Sequence, residues 1–205
     1  MPGYITVKQN GFFEYEDRKS VFIGHAMPVA YESSALDFIS KIKKKYPDAR
    51  HHVYAYALRE NSIMRFTDDR EPQGTAGMPV LDVIRKNGCI DVVIVVVRYF
   101  GGTLLGTGGL VRAYTSAALG ALKDAQIIKY DVYNEFSVTL TYSDYGKLTS
   151  VFESRGVKII DTVYRDDVSV VGKISKEDFP TVEKDIVECT SGRAKIEILS
   201  EKFDY

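Results

Sequence analysis

"IDVVIVVVRYFGGTLLGTGGLVRAYTSAALGALKDA" runs from Ile90 to Ala125. The apolar run at its start is nearly continuous, which reads as a strand buried on both faces. The alanine-rich stretch at its end, "LVRAYTSAALGALKDA", reads as a helix whose small side chains permit very close packing. Between them stand five glycines, Gly101, Gly102, Gly106, Gly108 and Gly109, more than a simple turn needs. The helix is expected to begin at Gly108–Gly109, where free backbone N–H groups and the positive end of the helix dipole favour an anion. Arg112 then falls in its first turn, and Arg98 ends the strand. The alternative is that the glycines serve close backbone packing and positive φ angles while the arginines pair with carboxylates. At the level of sequence both stay open.

Neither familiar nucleotide loop is complete here. Gly101 and Gly106 have Walker A spacing, but Thr107 stands where the phosphate-reaching lysine is required. Gly106-Thr107-Gly108 opens a dinucleotide fingerprint whose third glycine position is Val111.

Upstream, "SVFIGHAMPV" (Ser20–Val29) is β-rich. "ESSALDFISKIKKKYPDAR" places Leu36, Ile39, Ile42 and Tyr46 at helical spacing before Pro47 ends the helix. "HHVYAYAL" from His51 alternates as a strand, which puts His51 and His52 on opposite faces. Residues 67–77 form a polar loop, and "MPVLDVIRKNG" is a short helix with Pro79 near its start and Gly88 past its end. Downstream, "EFSVTLTY" is a strand. "SDYGKLTSVFESRG" is a helix with Ser143 as N-cap and Gly156 as terminator. Strands "VKIIDTVY" and "DVSVVGKI", a helix starting near Pro180 and a last strand "RAKIEILS" complete a β-α-β-β-α-β order. The expected division is one domain over residues 1–132 and a second over residues 133–205, joined by continuous β structure.

The 205 residues suffice for one large or two modest domains, and 45% apolar with 27% charged residues are proportions of a soluble globular protein. A net charge of −1 gives no global basic signal for nucleic acid. The halves differ, however. Residues 1–132 carry 17 Lys+Arg against 14 Asp+Glu, whereas residues 133–205 carry 10 against 14. Any polyanion site is therefore expected in the first domain. Cys89 and Cys189 form no CxxC, so neither a disulfide framework nor a zinc site is indicated, and a reducing cytoplasm is the simplest home. The N-terminus reads as no secretory signal, and the longest apolar run, Val92–Val97, is too short to span a bilayer.

The loop "TDDREPQGTAG" (Thr67–Gly77) offers Asp68, Asp69 and Glu71. Carboxylates so close suit a hard cation such as Mg²⁺, but the spacing matches no EF-hand. The favoured reading is that they cap backbone N–H groups or pair with Arg98 and Arg112. That would draw the loop, with Gly74 and Thr75, and the glycine turn into one constellation beside His51. No metal and no cofactor is expected. A histidine is a potential general base, but no nucleophile stands beside it. Cys89 reads as a small buried hydrophobe, and Lys43-Lys44-Lys45 as charges suited to a helix C-terminus.

"DDREPQGTAGMPVL" (Asp68–Leu81) and "VIVVVRYFGGTLLGTGGLVRAY" (Val93–Tyr114) resemble the two signatures of the IMPACT family, in its bacterial YigZ branch. "RKSVFIG" (Arg18–Gly24) and "PDARHHVYAY" (Pro47–Tyr56) are similar to two further segments of that family. The resemblance covers essentially the whole chain. It departs at Arg70, where the family usually has glycine (D-D-G-E-P), which adds a cation and alters the demands on the loop's backbone. The resemblance implies an α+β fold. Its N-terminal α/β domain is similar to the second domain of a small-subunit ribosomal protein and to domain IV of elongation factor G. Its C-terminal domain is ferredoxin-like, similar to domain V of that factor. Eukaryotic members regulate translation by competing for the co-activator of a starvation-sensing kinase, through an added domain that this chain lacks, so that activity does not carry over.

The leading expectation is a cytoplasmic, non-catalytic protein that binds RNA or ribosome-associated factors. Phosphate would be held by Arg98, Gly101, Gly102, Gly106, Gly108, Gly109 and Arg112. One alternative is an enzyme acting on a phosphorylated or small anionic substrate through Asp68, Asp69, Glu71 and His51. Another is a protein-interaction module. A nucleic-acid site asks for an open positive groove with reachable aromatics such as Tyr99, Phe100 or Tyr114.

Overall fold

The computed structural model describes residues 3–205, without the side chain of Asn61. The chain forms two compact units, Tyr4–Lys129 and, together with Gly3, Tyr130–Tyr205.

The first unit contains β1 (Tyr4–Val7), β2 (Gly11–Asp17), β3 (Ser20–Pro28), α1 (Glu32–Lys45), β4 (His51–Ala57), β5 (Met64–Thr67), α2 (Gly77–Lys86), β6 (Val92–Tyr99) and α3 (Gly106–Asp124). Five of these strands form an antiparallel sheet in the order β2-β3-β6-β4-β5. β6 lies at its centre and is buried from Val92 to Arg98. Val92, Ile94 and Val96 face a core shared with α2 and α3, while Val93, Val95 and Val97 face a core shared with α1. The apolar run is thus buried on both faces although the sheet is antiparallel. Helices on both sides, not strand direction, create that demand. α3 lies very close to the sheet: a Cβ on Gly24 would sit 2.4 Å from the Ala117 carbonyl oxygen, and one on Gly11 would sit 2.1 Å from that of Ala121. Alanines on the helix and glycines on the strands are what permit this approach.

Three local expectations are corrected. α1 buries Ala35, Phe38, Ile39 and Ile42, leaving Leu36 50% exposed, so the apolar stripe lies one residue away from Leu36. β5 is an additional edge strand, largely exposed, whose sequence MRFT alternates over only four residues. α3 begins at Gly106 rather than at Gly108–Gly109, with Gly106 at φ +72°.

β7 (Ile127–Leu140) carries the chain into the second unit, followed by α4 (Tyr142–Arg155), β8 (Lys158–Tyr164), β9 (Val168–Ser175), α5 (Phe179–Thr190) and β10 (Lys195–Asp204). These strands form an antiparallel sheet in the order β8-β9-β7-β10, the ferredoxin-like arrangement. Phe136, Val138, Leu140, Val168 and Val170 pack with Leu148 and Phe152 of α4 and Val182 and Ile186 of α5. Both helices thus cover one face. Ser143 lies inside α4, because the helix starts one residue earlier, after Thr141; Gly156 ends it at φ +68°.

Candidate anion-binding site

One end of the first sheet gathers the loops singled out above. β6 ends there and β4 begins there, and pairing places Arg98 between Phe22 of β3 and His51 of β4. The even-numbered residues of β6 face α2 and α3, so Arg98 points beneath the start of α3. It is 6% exposed, and its Nη1 donates to Glu71 Oε1 at 2.6 Å. Tyr114 of α3 donates its hydroxyl to the same oxygen at 2.8 Å, and His51 Nε2 lies 3.8 Å from it. Tyr114 is fully buried, edge-on to Phe22 with ring centroids 5.1 Å apart. Burial, then the Glu71 charge, push the Tyr114 hydroxyl well above its ordinary pKa, which keeps it a donor. Arg98 Nε has no hydrogen-bond partner among the described residues. Arg98 therefore holds Glu71 through Nη1 alone.

The other carboxylates of the loop are committed to backbone. Asp68 accepts from the N–H groups of Gly74 at 2.9 Å, Ala76 at 3.1 Å and Gly77 at 2.8 Å. It thereby neutralises the N-terminus of α2. Asp69 Oδ2 accepts the His52 N–H at 2.6 Å, and the Asp69 carbonyl bonds His51 Nδ1 at 2.8 Å. Thr75 is buried and donates to the Pro72 carbonyl at 2.6 Å. His52 faces the opposite side of the sheet, where Nε2 meets the Tyr46 carbonyl at 2.9 Å. Arg70 takes φ +70°, the left-handed region that favours glycine, and its guanidinium reaches the Arg50 carbonyl at 2.6 Å. Among the described residues, no three of His, Cys, Asp or Glu gather as a metal ion would require.

The N-terminus of α3 differs from that of α2. Its N-cap residue, Leu105, has no side chain able to cap it, and no other side chain among the described residues bonds its first-turn N–H groups, which have no partner within the helix. Gly106, Thr107 and Gly108 are exposed, and a Cβ on Gly108 would meet open space. Arg112 follows one turn later, exposed and without a hydrogen bond or ion pair among the described residues. Helical side chains lean toward the N-terminus, which carries Arg112 over Gly108. Gly101 serves packing instead. A Cβ there would meet the Lys19 backbone at 2.1 Å, and its N–H donates to Ser20 Oγ at 3.1 Å. Gly102 supplies a turn at φ +87°.

The charges at this end are unequally displayed. Arg18, Lys19, Lys43, Lys44, Lys45, Arg50, Arg70 and Arg112 are exposed, whereas Asp17, Asp68 and Asp69 are half-buried and Glu71 is buried. Glu16 is exposed, and so is Asp48, which accepts from the Tyr99 hydroxyl at 2.9 Å. Of the three aromatics, Phe100 is 45% exposed, Tyr99 is half-buried and Tyr114 is core. The role of Tyr114 was detectable in principle. It follows Leu110 and precedes Ala117, Ala118 and Ala121 at helical spacing, so it belongs to the buried stripe of α3.

Residues 18–122 match the Impact N-terminal domain, and residues 138–193 match a domain of unknown function, DUF1949. An IMPACT family member of Haemophilus influenzae is 35% identical over 205 residues, covering 97% of this chain and 98% of that protein. The IMPACT family member YvyE of Bacillus subtilis is 34% identical over 194 residues, covering 94% of this chain and 89% of its own. The IMPACT family member YigZ of Escherichia coli is 34% identical over 153 residues, 73% of this chain and 75% of that one. A crystal structure of a protein described as hypothetical superposes with a TM-score of 0.60 at 27% identity, covering 98% of this chain and all of the other. With both domain matches in sequence order and two relatives covered over 89% and 98% of their length, the chain belongs to the IMPACT family.

Proposed function

We propose that this chain consists of two domains, residues 1–132 and 133–205, and is a non-catalytic cytoplasmic protein that binds RNA of the translation machinery through the basic end of its first sheet. The observation that carries this reading is the contrast between two neighbouring helix starts. Asp68 satisfies the N-terminus of α2, whereas the N-terminus of α3 has no capping side chain among the described residues and carries exposed Arg112 one turn on. A dipole end at the surface favours an anion by only ~0.3–1 kcal/mol. A polyanion that touches several of the surrounding cations is therefore a better ligand than a lone phosphate. Phe100 offers an exposed ring on which a base can stack. An acid–base enzyme is less well served, because Asp68 and Asp69 bind backbone N–H groups and Glu71 is held by Arg98 and Tyr114.

The test is binding of a fluorescent single-stranded RNA by the full chain across a salt series. Each phosphate contact on a single strand contributes a slope of roughly 0.7 in log K against log salt. Arg112→Ala should flatten the slope by about one such contact and weaken binding about fivefold at 0.1 M salt. An RNA affinity unmoved by salt and by Arg112→Ala refutes the reading.

A further inference from the structure

A cleft of about 520 Å³ lies on the α1 side of the same sheet end, away from the Arg98–Glu71 pair. It is shallow and open, and Lys43 and Lys44 of α1, His52, Asp69 and Arg70 are among the residues that line it. Lys43 and Lys44 are exposed and make no ion pair or hydrogen bond among the described residues. The lining therefore carries three cations against one carboxylate. That carboxylate is partly spent: Asp69 Oδ2 receives the His52 N–H at 2.6 Å, and Oδ1 lies 3.9 Å from Arg70 Nε.

The cations come from two separate elements, which helix chemistry alone does not require. Lysines at the end of α1 suit its dipole, but that accounts for neither their convergence with Arg70 nor the backbone Arg70 adopts. A long side chain at φ +70° is unfavourable relative to glycine. Here it places an arginine, 75% exposed in its side chain, in the lining of a cleft that already bears two lysines. Its Nη2 is fixed on the Arg50 carbonyl at 2.6 Å and its Nε lies 3.9 Å from Asp69 Oδ1, which orients the guanidinium and leaves Nη1 to a ligand. The Tyr46 carbonyl, an acceptor at the end of α1 that would repel an anion, is engaged by His52 Nε2 at 2.9 Å and by the Ala49 N–H at 3.2 Å.

We propose that this cleft is a second phosphate site, in which Lys43, Lys44 and Arg70 hold one phosphate group. The source of that phosphate rests on the reading above: an RNA backbone engaged at α3 would continue across this end of the sheet into the cleft. A free phosphorylated small molecule has the same chemistry, and the experiment separates the two.

Two measurements on the full chain decide the matter. In the first, Lys43→Ala/Lys44→Ala is compared with Arg112→Ala for single-stranded RNA binding across salt. Loss of two contacts should flatten the slope by about 1.4 and weaken binding about 25-fold at 0.1 M salt, beyond the effect of Arg112→Ala. In the second, ¹⁵N-labelled protein is titrated with pyrophosphate, and the Lys44 and Arg70 amides should shift. Both substitutions lie at exposed positions, and an unchanged ¹⁵N spectrum elsewhere confirms folding. Pyrophosphate shifts without any RNA binding support the cleft and assign its phosphate to a small molecule. RNA binding that falls with Arg112→Ala but not with the lysine pair, without pyrophosphate shifts, overturns the cleft and leaves the proposed function standing. Absence of both RNA binding and shifts overturns both.

Discussion

The two sheets treat their faces in opposite ways. β6 reads VVIVVVRY and is buried from Val92 to Arg98, whereas β9 reads VSVVGKIS and alternates between buried and half-buried residues. Helices cover both faces of the first sheet but only one face of the second. On the open face of the second sheet, charges are paired: Lys202 with Glu135 at 2.9 Å, and Lys173 with Asp204 at 2.5 Å. At the basic end of the first sheet, Glu71 is buried and Asp68 and Asp69 are half-buried on backbone partners, so that eight exposed cations stand there against the exposed carboxylates Glu16 and Asp48. A sheet covered on both faces has only its ends and edges for function, and this one displays its unbalanced charge at one end.

The largest expected effect tests how deeply each unit buries its charges. Glu71 and Arg98 are both almost fully buried, with side-chain exposures of 3% and 7%. Glu71→Ala strands an unpaired guanidinium and leaves Tyr114 without its acceptor, so the first unit should lose about 3–5 kcal/mol. Asp144 of the second unit is as buried as Glu71, but its partners Arg193 and Lys147 are more than half exposed and can return to water. Asp144→Ala should therefore cost less. Hydrogen exchange of β6 and β9 amides reads each unit separately. An Asp144→Ala loss equal to that of Glu71→Ala would break the comparison.

The next effect separates the units by pH. Burial, then the positive charge of Lys45, lower His25 of β3 to about 4. The unfolded chain binds this proton near pH 6.5 and the folded chain only near 4, so stability is complete above 6.5 and declines as pH falls through that window. At 1.36 kcal/mol per unit, the loss reaches at most about 3 kcal/mol. In the second unit, the Arg193 guanidinium holds the Asp144 carboxyl below its ordinary 3.8, and Lys202 and Lys173 act likewise on Glu135 and Asp204. Those contributions are complete above the unfolded values and are lost only as pH falls below them. Acid should thus weaken the first unit from pH 6.5 downward while the second holds as far as 4.5, the ordinary value of Glu135. The window should vanish in His25→Phe, as judged by exchange protection at stepped pH.

These contrasts were unequally legible in the chain. The periods of β6 and β9 announced how many faces each strand buries, and the β-α-β-β-α-β order announced the second sheet. β5 reads MRFT and does alternate, but over four residues only, too short a run to stand out from the loop beside it, and pairing with β4 makes it a strand. Leu36 fits the helical spacing of α1 and yet is exposed, since i, i+3 arithmetic does not reveal which flank of a stripe meets the sheet. At the site, motif spacing brought Asp68, Asp69 and Glu71 under consideration but could not say what each oxygen meets. Arg98 looked like an open strand-end cation, and only the alternation of β6 shows that an even-numbered residue there turns under α3. Lys43 and Lys44 had a sufficient local explanation, so the cleft they form with Arg70 became visible only when the two elements met.

The smallest expected effect sets one glycine against another. Gly108 in the first turn of α3 and Gly146 in α4 are both exposed helical glycines with open space where a Cβ would go. Each should gain about 0.5–1 kcal/mol on substitution by alanine, since glycine has the larger conformational entropy to lose and nothing need move. The two variants should part in RNA binding. A methyl group at Gly108 stands where a phosphate would approach the first-turn N–H groups beneath Arg112, so Gly108→Ala should bind RNA more weakly while melting higher. Gly146→Ala should gain the same stability and bind as the parent chain does. Because both changes stabilise, a binding loss confined to Gly108→Ala cannot be ascribed to unfolding. Equal RNA affinities for the two variants would mean that the glycines of α3 serve close packing and turn geometry, with no anion at the helix start.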